Sequence, residues 1–440
     1  MTREQMEQKF LEMAMEDSER YAKDLRQLTK KVAKSKAIYK GKPIPFLYMP
    51  RFFDRADLDT FHQAVSHMMA ICQKMIRLYK SVPDIRAYYD FDARLEALIL
   101  KESPYACSVP MARFDIFYYG PGDFRFCELN TDGTSAMNED RELARIFSDG
   151  MLVEKIGDAV NLNSFELFDT WVSEVINIYR EARGTSKQPT IAIVDLFEKA
   201  SAIEFEVFKE RFEALGYPCL IADARALSYD NGLYFEGKRI DIVYRRLVTK
   251  DMMERIDEVS ALEKACLDDT TLIIGNIQSQ IVHTKQFFKL LHDDLVRQYF
   301  NIEELAFIDK HVPLTESISF AKYKIDQLVS EKDQWIIKPL DFYASIGVYA
   351  GRDYEPDGWR KLLLDHIDKP YLLQQFCIPP EFKNIDLIDD ALSVGMYKHI
   401  TGLFVYNGKF YGVYSRAGRS NIISGLHDVF TLPSLFIQNT

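Results

Sequence analysis

No uninterrupted apolar run in this 440-residue chain approaches the roughly 18 residues of a membrane span, so no membrane partner is expected. Met1 to Ser35 is charged and reads as helix, without the apolar segment of a secretory signal, which makes a cytoplasmic protein the expectation. Basic clusters are missing too. The net charge is −11 with Lys and Arg dispersed, whereas a reader of nucleic-acid backbone carries a basic face; nucleic acid is not an expected partner. The six cysteines (Cys72, Cys107, Cys127, Cys219, Cys266, Cys377) are scattered, and neither they nor the eight histidines show zinc spacing. They read as buried, reduced thiols. There is no G-x-x-x-x-G-K-[ST] loop, no G-x-S-x-G elbow and no H-E-x-x-H, which removes Walker, α/β-hydrolase and zincin chemistries. No internal repeat or low-complexity tract is present.

What is there is ordinary globular material. Apolar residues make up 47% and charged residues 28%, too hydrophobic a mixture for a disordered chain, and the length suggests two or more sub-domains. Residues 1–100 read mostly as helix, with helical apolar spacing at Leu58 to Tyr79 and Phe91 to Leu100 and a loop at Pro43, Pro45 and Pro50. Ala112 to Tyr119 and Phe124 to Leu129 are extended, apolar runs joined by Gly120-Pro121-Gly122-Asp123, which predicts a hairpin; helices follow from about Met137 to Arg183. From Pro189 the pattern alternates: strand Thr190 to Asp195, helix Ser201 to Leu215, strand Pro218 to Ala222, a hairpin of Leu233 to Phe235 and Ile240 to Tyr244 around Glu236-Gly237-Lys238, and a strand at Thr271 to Ile274. That alternation predicts a small βαβ-type unit. After a helical stretch at His283 to Phe300 come β-rich segments at Trp335 to Lys338, Gly347 to Ala350, Tyr371 to Phe376, Leu403 to Tyr406 and Phe410 to Ser415, the last two joined by Asn407-Gly408, a type I′ signal. The expectation is an α+β chain with an α/β part, divided as a helical region 1–100 and further segments 101–187, 188–282 and 283–440.

Polar residues on these β-rich segments carry the chemistry. Arg113 and Asp115 are two apart on one predicted strand, and Glu128 and Asn130 two apart on the next, so pairing of the strands brings all four to one face. Two carboxylates and an amide oxygen on rigid strands suit Mg²⁺, which takes hard oxygen ligands and keeps phosphate and water in its shell. Arg113 can grip phosphate or carboxylate bidentately. A solvated hairpin face with surface ion pairs is the competing reading. Thr134 and Ser135 follow Asn130 in the same polar cluster. Lys338 ends an apolar strand before Pro339 and can project its ammonium onto nucleotide phosphates, or simply guard a strand edge. Gln374 and Gln375 end an apolar strand that can seat an adenine and offer backbone hydrogen bonds, or is a routine buried strand. Asp341 to Gly351 is placed to cover phosphates. Arg416 and Arg419, on a Gly-containing turn after the last hairpin, can hold phosphate or belong to a surface loop. Tyr244-Arg245-Arg246 is a further candidate for an anionic substrate, with a surface ion pair as its alternative.

These pieces in this order resemble the circularly permuted ATP-grasp fold, and specifically the glutathionylspermidine synthase family. The matching residues are Arg113-Phe114-Asp115, Glu128-Leu129-Asn130 with Thr131 to Ser135, Lys338-Pro339, Gln374-Gln375 and a late Arg, Arg416 or Arg419. Asp115, Glu128 and Asn130 precede Lys338, as in the permuted branch, and the 188–282 segment resembles that family's inserted pre-ATP-grasp-like domain. One departure stands: the family's phosphate-covering loop is richer in glycine and carries an Arg, unlike Asp341 to Gly347. The resemblance implies an ADP-forming carboxylate–amine ligase using ATP and Mg²⁺, acting through an acyl phosphate on a peptide-like or amino acid substrate and an amine. It implies Asp115, Glu128 and Asn130 as metal ligands, Arg113, Ser135 and Arg416 as catalytic groups, and Lys338, Gln374, Gln375 and Arg419 as nucleotide-binding groups. A nucleotide-binding protein of the same fold with a regulatory or partner-binding role is the alternative.

Overall fold

The computed structural model describes residues 2–39, 41–157, 160–198, 200, 202–320, 322–341, 346–367, 369–423 and 429–438. The chain is a mixed α/β protein with several sheets. The largest is a six-stranded antiparallel sheet in which Val429–Leu432, Lys409–Gly418, Ala391–Tyr406, Met111–Gly120 and Asp123–Asn130 lie side by side, with Glu381–Ile388 also paired to Ala391–Tyr406. Its hairpins follow local chemistry. Asn407 and Gly408 both have positive φ, 46° and 81°, as a two-residue type I′ turn requires. One face is covered by the helix Arg55–Ser81, whose start is fixed by a capping box between Asp54 and Asp57. Phe61 of that helix packs its ring 4.8 Å from Tyr118 and 5.7 Å from Phe410.

Ile191–Asp195, Cys219–Asp223, Ile242–Arg245 and Leu272–Ile274 form an all-parallel four-stranded sheet. Ile191–Asp195 is buried along its whole length, as a parallel sheet covered on both faces demands. The expected hairpin over Ile240 to Tyr244 divides differently: Lys238–Ile240 turns back on Leu233–Phe235 through Glu236 and Gly237, whereas Ile242–Arg245 leaves for the parallel sheet. Asp241 marks the switch, its carboxylate accepting from the Thr190 N–H at 2.9 Å.

A third sheet, smaller and antiparallel, orders Thr315–Ser317, Tyr371–Gln375, Trp335–Pro339 and Tyr349–Ala350. Strand alternation gives it two unlike faces. Trp335, Ile337 and Leu373 pack with Leu328, Trp359 and Leu363 of the helices behind it, while Ile336, Lys338 and Gln374 face the large sheet across a cleft. The N-terminal helices do not stand apart. Met6 and Phe10 share a core with Phe147, Leu435 and Ile437, and Arg51–Phe53 pairs in parallel with Ser434–Gln438. Among the described residues no helix is long and apolar enough to cross a membrane.

Candidate functional site

Between the large sheet and the small one lies a cleft of about 590 Å³. The Met111–Gly120 and Asp123–Asn130 strands pair with Arg113 opposite Asn130 and Asp115 opposite Glu128, which sets the four polar residues together on one face. Asp115 is fully buried at the centre of the group. Its oxygens accept from Arg113 at 2.7 and 3.1 Å, from Arg416 at 2.6 Å and from the Asn130 amide at 3.3 Å. Arg113 also donates to the Ser135 carbonyl at 2.9 Å, and both guanidinium groups lie over the Tyr414 ring, 5.3 and 5.5 Å from its centre. Two arginines are thereby held rigidly at the cleft wall with their charge only partly cancelled.

Room for this pair comes from a neighbour without a side chain. Gly402 lies opposite Asp115 in the adjacent strand, and a Cβ there would fall 2.7 Å from Arg113 Cδ and 2.8 Å from Asp115 Oδ1. The segment after Asn130 is clamped just as tightly. Asp132 accepts from Arg245 and from the Thr249 N–H, Thr131 donates to the Ser279 carbonyl at 3.0 Å, and Gly133 has φ +58° with Arg246 O 2.6 Å from where a Cβ would stand. Only glycine fits that turn.

Lys338 crosses from the small sheet, its Nζ donating to the Cys127 carbonyl at 3.3 Å. Lys285, which precedes the helix Gln286–Leu290, lines the same cleft. Burial alone would raise the Glu128 carboxyl, but Lys285, Lys338, Arg416 and Arg113 hold it down to about 2. Glu128 is therefore ionised at every physiological pH. Asn130 spends its amide nitrogen on Asp115 and Glu128, at 3.3 and 3.4 Å, which keeps its carbonyl oxygen as an acceptor.

These donors decide what the site can hold. Among the described residues no cluster of three His, Cys, Asp or Glu is arranged for a metal. Mg²⁺ next to phosphate, however, needs only one or two protein oxygens, and Glu128 and Asn130 supply them at the cleft wall. Asp115 is different. It is buried behind the wall with guanidinium groups on both oxygens, so its surroundings suit an anchor for arginines rather than a metal ligand.

Several expected residues are placed elsewhere or otherwise engaged. Arg416 is not on a turn: it lies within the Lys409–Gly418 strand opposite Ile400 and Thr431. Arg419, three residues on, takes the opposite side of the sheet by strand alternation; it donates to Tyr397 OH at 2.9 Å and pairs with Asp386 at 3.5 Å, away from the cleft. Ser135 lines the cleft, but the Thr134 hydroxyl is spent on the Asn130 carbonyl at 2.7 Å. Gln374 is buried and donates to Thr315 at 2.7 Å, and Gln375 ends its strand; both line the cleft. The backbone donors expected there for a base are taken, Gln375 N–H by Leu314 O and Phe376 N–H by Gln334 O. Arg245 and Arg246 are fully enclosed, paired with Asp132 and Glu204, and grip no substrate. Of the expected phosphate-covering loop, residues 342–345 lie outside the described residues.

Lys285, Tyr414 and Glu139 also line the cleft and are not in the sequence-derived set. Tyr414 had a signal, since it lies two residues before Arg416 and so shares its face. Lys285 had none, because the cleft brings it to Glu128 from more than a hundred residues away.

No protein-family model and no curated protein matches the chain. Among solved structures, the fold is shared with a glutathione synthetase-like effector from Globodera pallida in its apo form, at a TM-score of 0.64 and 14% identity over 94% of this chain and 96% of that one. D-alanyl-alanine synthetase A from Vibrio cholerae (TM-score 0.28, 9% identity, 56% of this chain and 88% of that one) and D-cycloserine synthetase DcsG (TM-score 0.28, 10% identity, 56% and 91%) are matched too loosely to carry an argument. At 14% identity the first likeness speaks to the fold alone.

Proposed function

We propose that this protein is an ATP-dependent carboxylate–amine ligase of the circularly permuted ATP-grasp type, forming ADP, phosphate and an amide. One observation carries the reading: Lys338 from one sheet and Arg113, Glu128, Asn130 and Arg416 from another line a single cleft, although more than two hundred residues separate Asn130 from Lys338. The likeness of fold to a glutathione synthetase-like effector supports it. The cleft lining combines apolar Ile336, Phe376 and Phe126, suited to a base, with the cationic side chains a triphosphate needs.

In this reading the substrate carboxylate attacks the γ-phosphorus, ADP leaves, and an amine displaces phosphate from the acyl phosphate. Lys338 steadies the nucleotide phosphates, and Arg113 and Arg416 meet the charge that spreads over the transferring group. Asp115 fixes both arginines in place, so that no reorganisation is needed when that charge develops. Glu128 and Asn130 would hold Mg²⁺, which would supply further neutralisation of the phosphate charge. Ser135 is positioned to donate to the phosphate oxygens. Arg419 has no part in it.

Incubation with Mg-ATP and pooled amino acids, short peptides and polyamines tests the reading, with the spent nucleotide resolved by chromatography. ADP and phosphate that depend on both an acid and an amine are the expected products. AMP with pyrophosphate as the stoichiometric product overturns the mechanism. A second reading, a nucleotide-binding protein that no longer ligates, is favoured by the arginines that occupy Asp115; it predicts Mg-ATP binding with no acid- or amine-dependent ADP.

A further inference from the structure

The cleft wall carries a second carboxyl besides Glu128. Glu139 stands in the first turn of the helix Met137–Ser148, is 7% exposed, and lines the cleft. The N-terminus of that helix is already served: Glu204 accepts from the Met137 and Asn138 N–H groups at 2.8 and 3.2 Å and from Arg246 at 2.7 Å. Glu139 is left only its own backbone N–H to cap, and its Oε2 has no hydrogen-bond partner among the described residues. A buried carboxylate oxygen without a donor is poised to accept one. At this end of the cleft the Met137–Ser148 helix packs on the Val429–Leu432 strand, which carries Phe430, and the Thr431 N–H donates to Pro45 O at 2.9 Å; Tyr39 and Ile44 line the cleft too.

We propose that Glu139 binds the ammonium of the amine substrate and takes its proton, and that this end of the cleft is the amine site. The inference rests on the ligase reading above. The steps balance: R–NH₃⁺ and the Glu139 carboxylate give R–NH₂ and the neutral carboxyl; the free amine then attacks the acyl carbon, the C–N bond forms, the C–O bond to phosphate breaks, and the second amine proton leaves with hydrogen phosphate. Glu128 cannot take this part, since its neighbours hold it ionised far below neutrality. Glu139 has the opposite setting. Burial first, and then the charge of Glu204, raise its carboxyl to about 8, against the opposing pull of its own backbone N–H and of Arg113 and Arg246. The other ionisable groups facing it are Tyr414 and Asp140. The accepting carboxylate is thus the minor form at pH 7 and the major form above about 8, so amine-dependent release by the wild type should climb through that range.

The test compares two nucleophiles with the full chain, Mg-ATP and pooled amino acids and short peptides as acids. Hydroxylamine is neutral at pH 7 and needs no proton acceptor; primary amines from methylamine to spermidine are charged. Glu139→Gln is expected to lower the ratio of amine-dependent to hydroxylamine-dependent ADP release by about 10²-fold at pH 7. That ratio should recover towards about pH 10, where the free amine accumulates. Glu139→Asp, which keeps an acceptor on a shorter stem, should retain part of the ratio, and it carries the test if the Gln variant does not fold. An unchanged ratio, or one that stays low at high pH, overturns the inference. Wild-type protein releasing no ADP with either nucleophile overturns the ligase reading and this one with it, an outcome distinct from any change in the variant alone.

Discussion

Two arginine clusters in this molecule use the same residue types for opposite ends. At the parallel sheet, Arg245 donates to Gly275 O at 2.6 Å, to Leu247 O and to Asp132, with both side chains of the ion pair fully buried, and Arg246 meets Glu204 in the same way. Each charge there has its counter-charge. At the cleft, Arg113, Arg416 and Lys338 gather about Asp115 and Glu128, three cations to two carboxylates among the described residues. A closed cluster stabilises; in the proposed function the open one is held ready for anions from outside. Burial alone does not tell them apart, because Arg113 and Asp115 are also buried. The count of opposite charges does.

Breaking the closed cluster should cost most. Arg245→Met leaves Asp132 buried without its cation and frees the segment leading to Ser135, so unfolding in denaturant should show a loss of about 3–5 kcal/mol. A stable variant with weakened nucleotide binding would erase the distinction between the two clusters. In the open cluster, Glu128→Gln should lower turnover by about 10²-fold, the scale of one oriented transition-state group, with the apparent Mg²⁺ requirement raised. The same residue gives a pH signature. Its folded-state value of about 2 lies below the ordinary 4.5, so its contribution to stability is present above about 4.5 and disappears as pH falls towards 2. Melting curves of wild type and Glu128→Gln should therefore converge in acid; curves that diverge there contradict the charge arrangement.

Lys338→Met keeps much of the stem and removes the charge. Calorimetric titration with Mg-ATP should report affinity down by about tenfold, the worth of one charge-assisted hydrogen bond, while the ligand-free melting temperature barely moves. Lost stability with normal ATP binding would return Lys338 to strand-edge protection. The smallest effect belongs to Arg419→Ala. Its contacts with Tyr397 and Asp386 are half exposed and outside the cleft, worth about 0–1 kcal/mol to stability, so turnover should stay within about twofold of wild type. Arg416→Ala is its counterpart, and equal losses in the two variants would mean that facing the cleft does not matter.

How much of this was legible in the sequence depends on range. The Arg113 hairpin was readable because its strands are adjacent, its turn residues are diagnostic, and period-two alternation fixes which side chains share a face. Mixed α/β architecture followed from the same kind of local signal. The Ala391–Tyr406 strand was read only at its apolar end, Leu403 to Tyr406, because Ala391 to Lys398 is half solvated and shows no clean alternation. Glu381–Ile388 was missed for the same reason, with Lys383, Asn384 and Asp386 interrupting it. Arg416 was read as loop because Gly418 suggested a turn, yet that glycine continues the strand. Arg245 and Arg246 could not be sorted from site arginines, since their partners Asp132 and Glu204 come from distant segments. Lys285 and Glu139 depend on how the sheets face each other, which no local pattern encodes.

Gly402 carries a consequence for how such a site can be lost. It has no side chain to bond, donate or accept, and Arg113 and Asp115 occupy the space where one would be. Alanine there changes hydropathy little and asks nothing unusual of a strand, and one nucleotide change in a glycine codon produces it. The added carbon presses on the paired arginine and carboxylate while leaving every chemical group in the chain intact. A descendant carrying it would retain all the residues by which the site is recognised, and its sequence would still read as though the site were whole. Function here is recorded partly in an unfilled volume, and erasing it needs no deletion, only an addition.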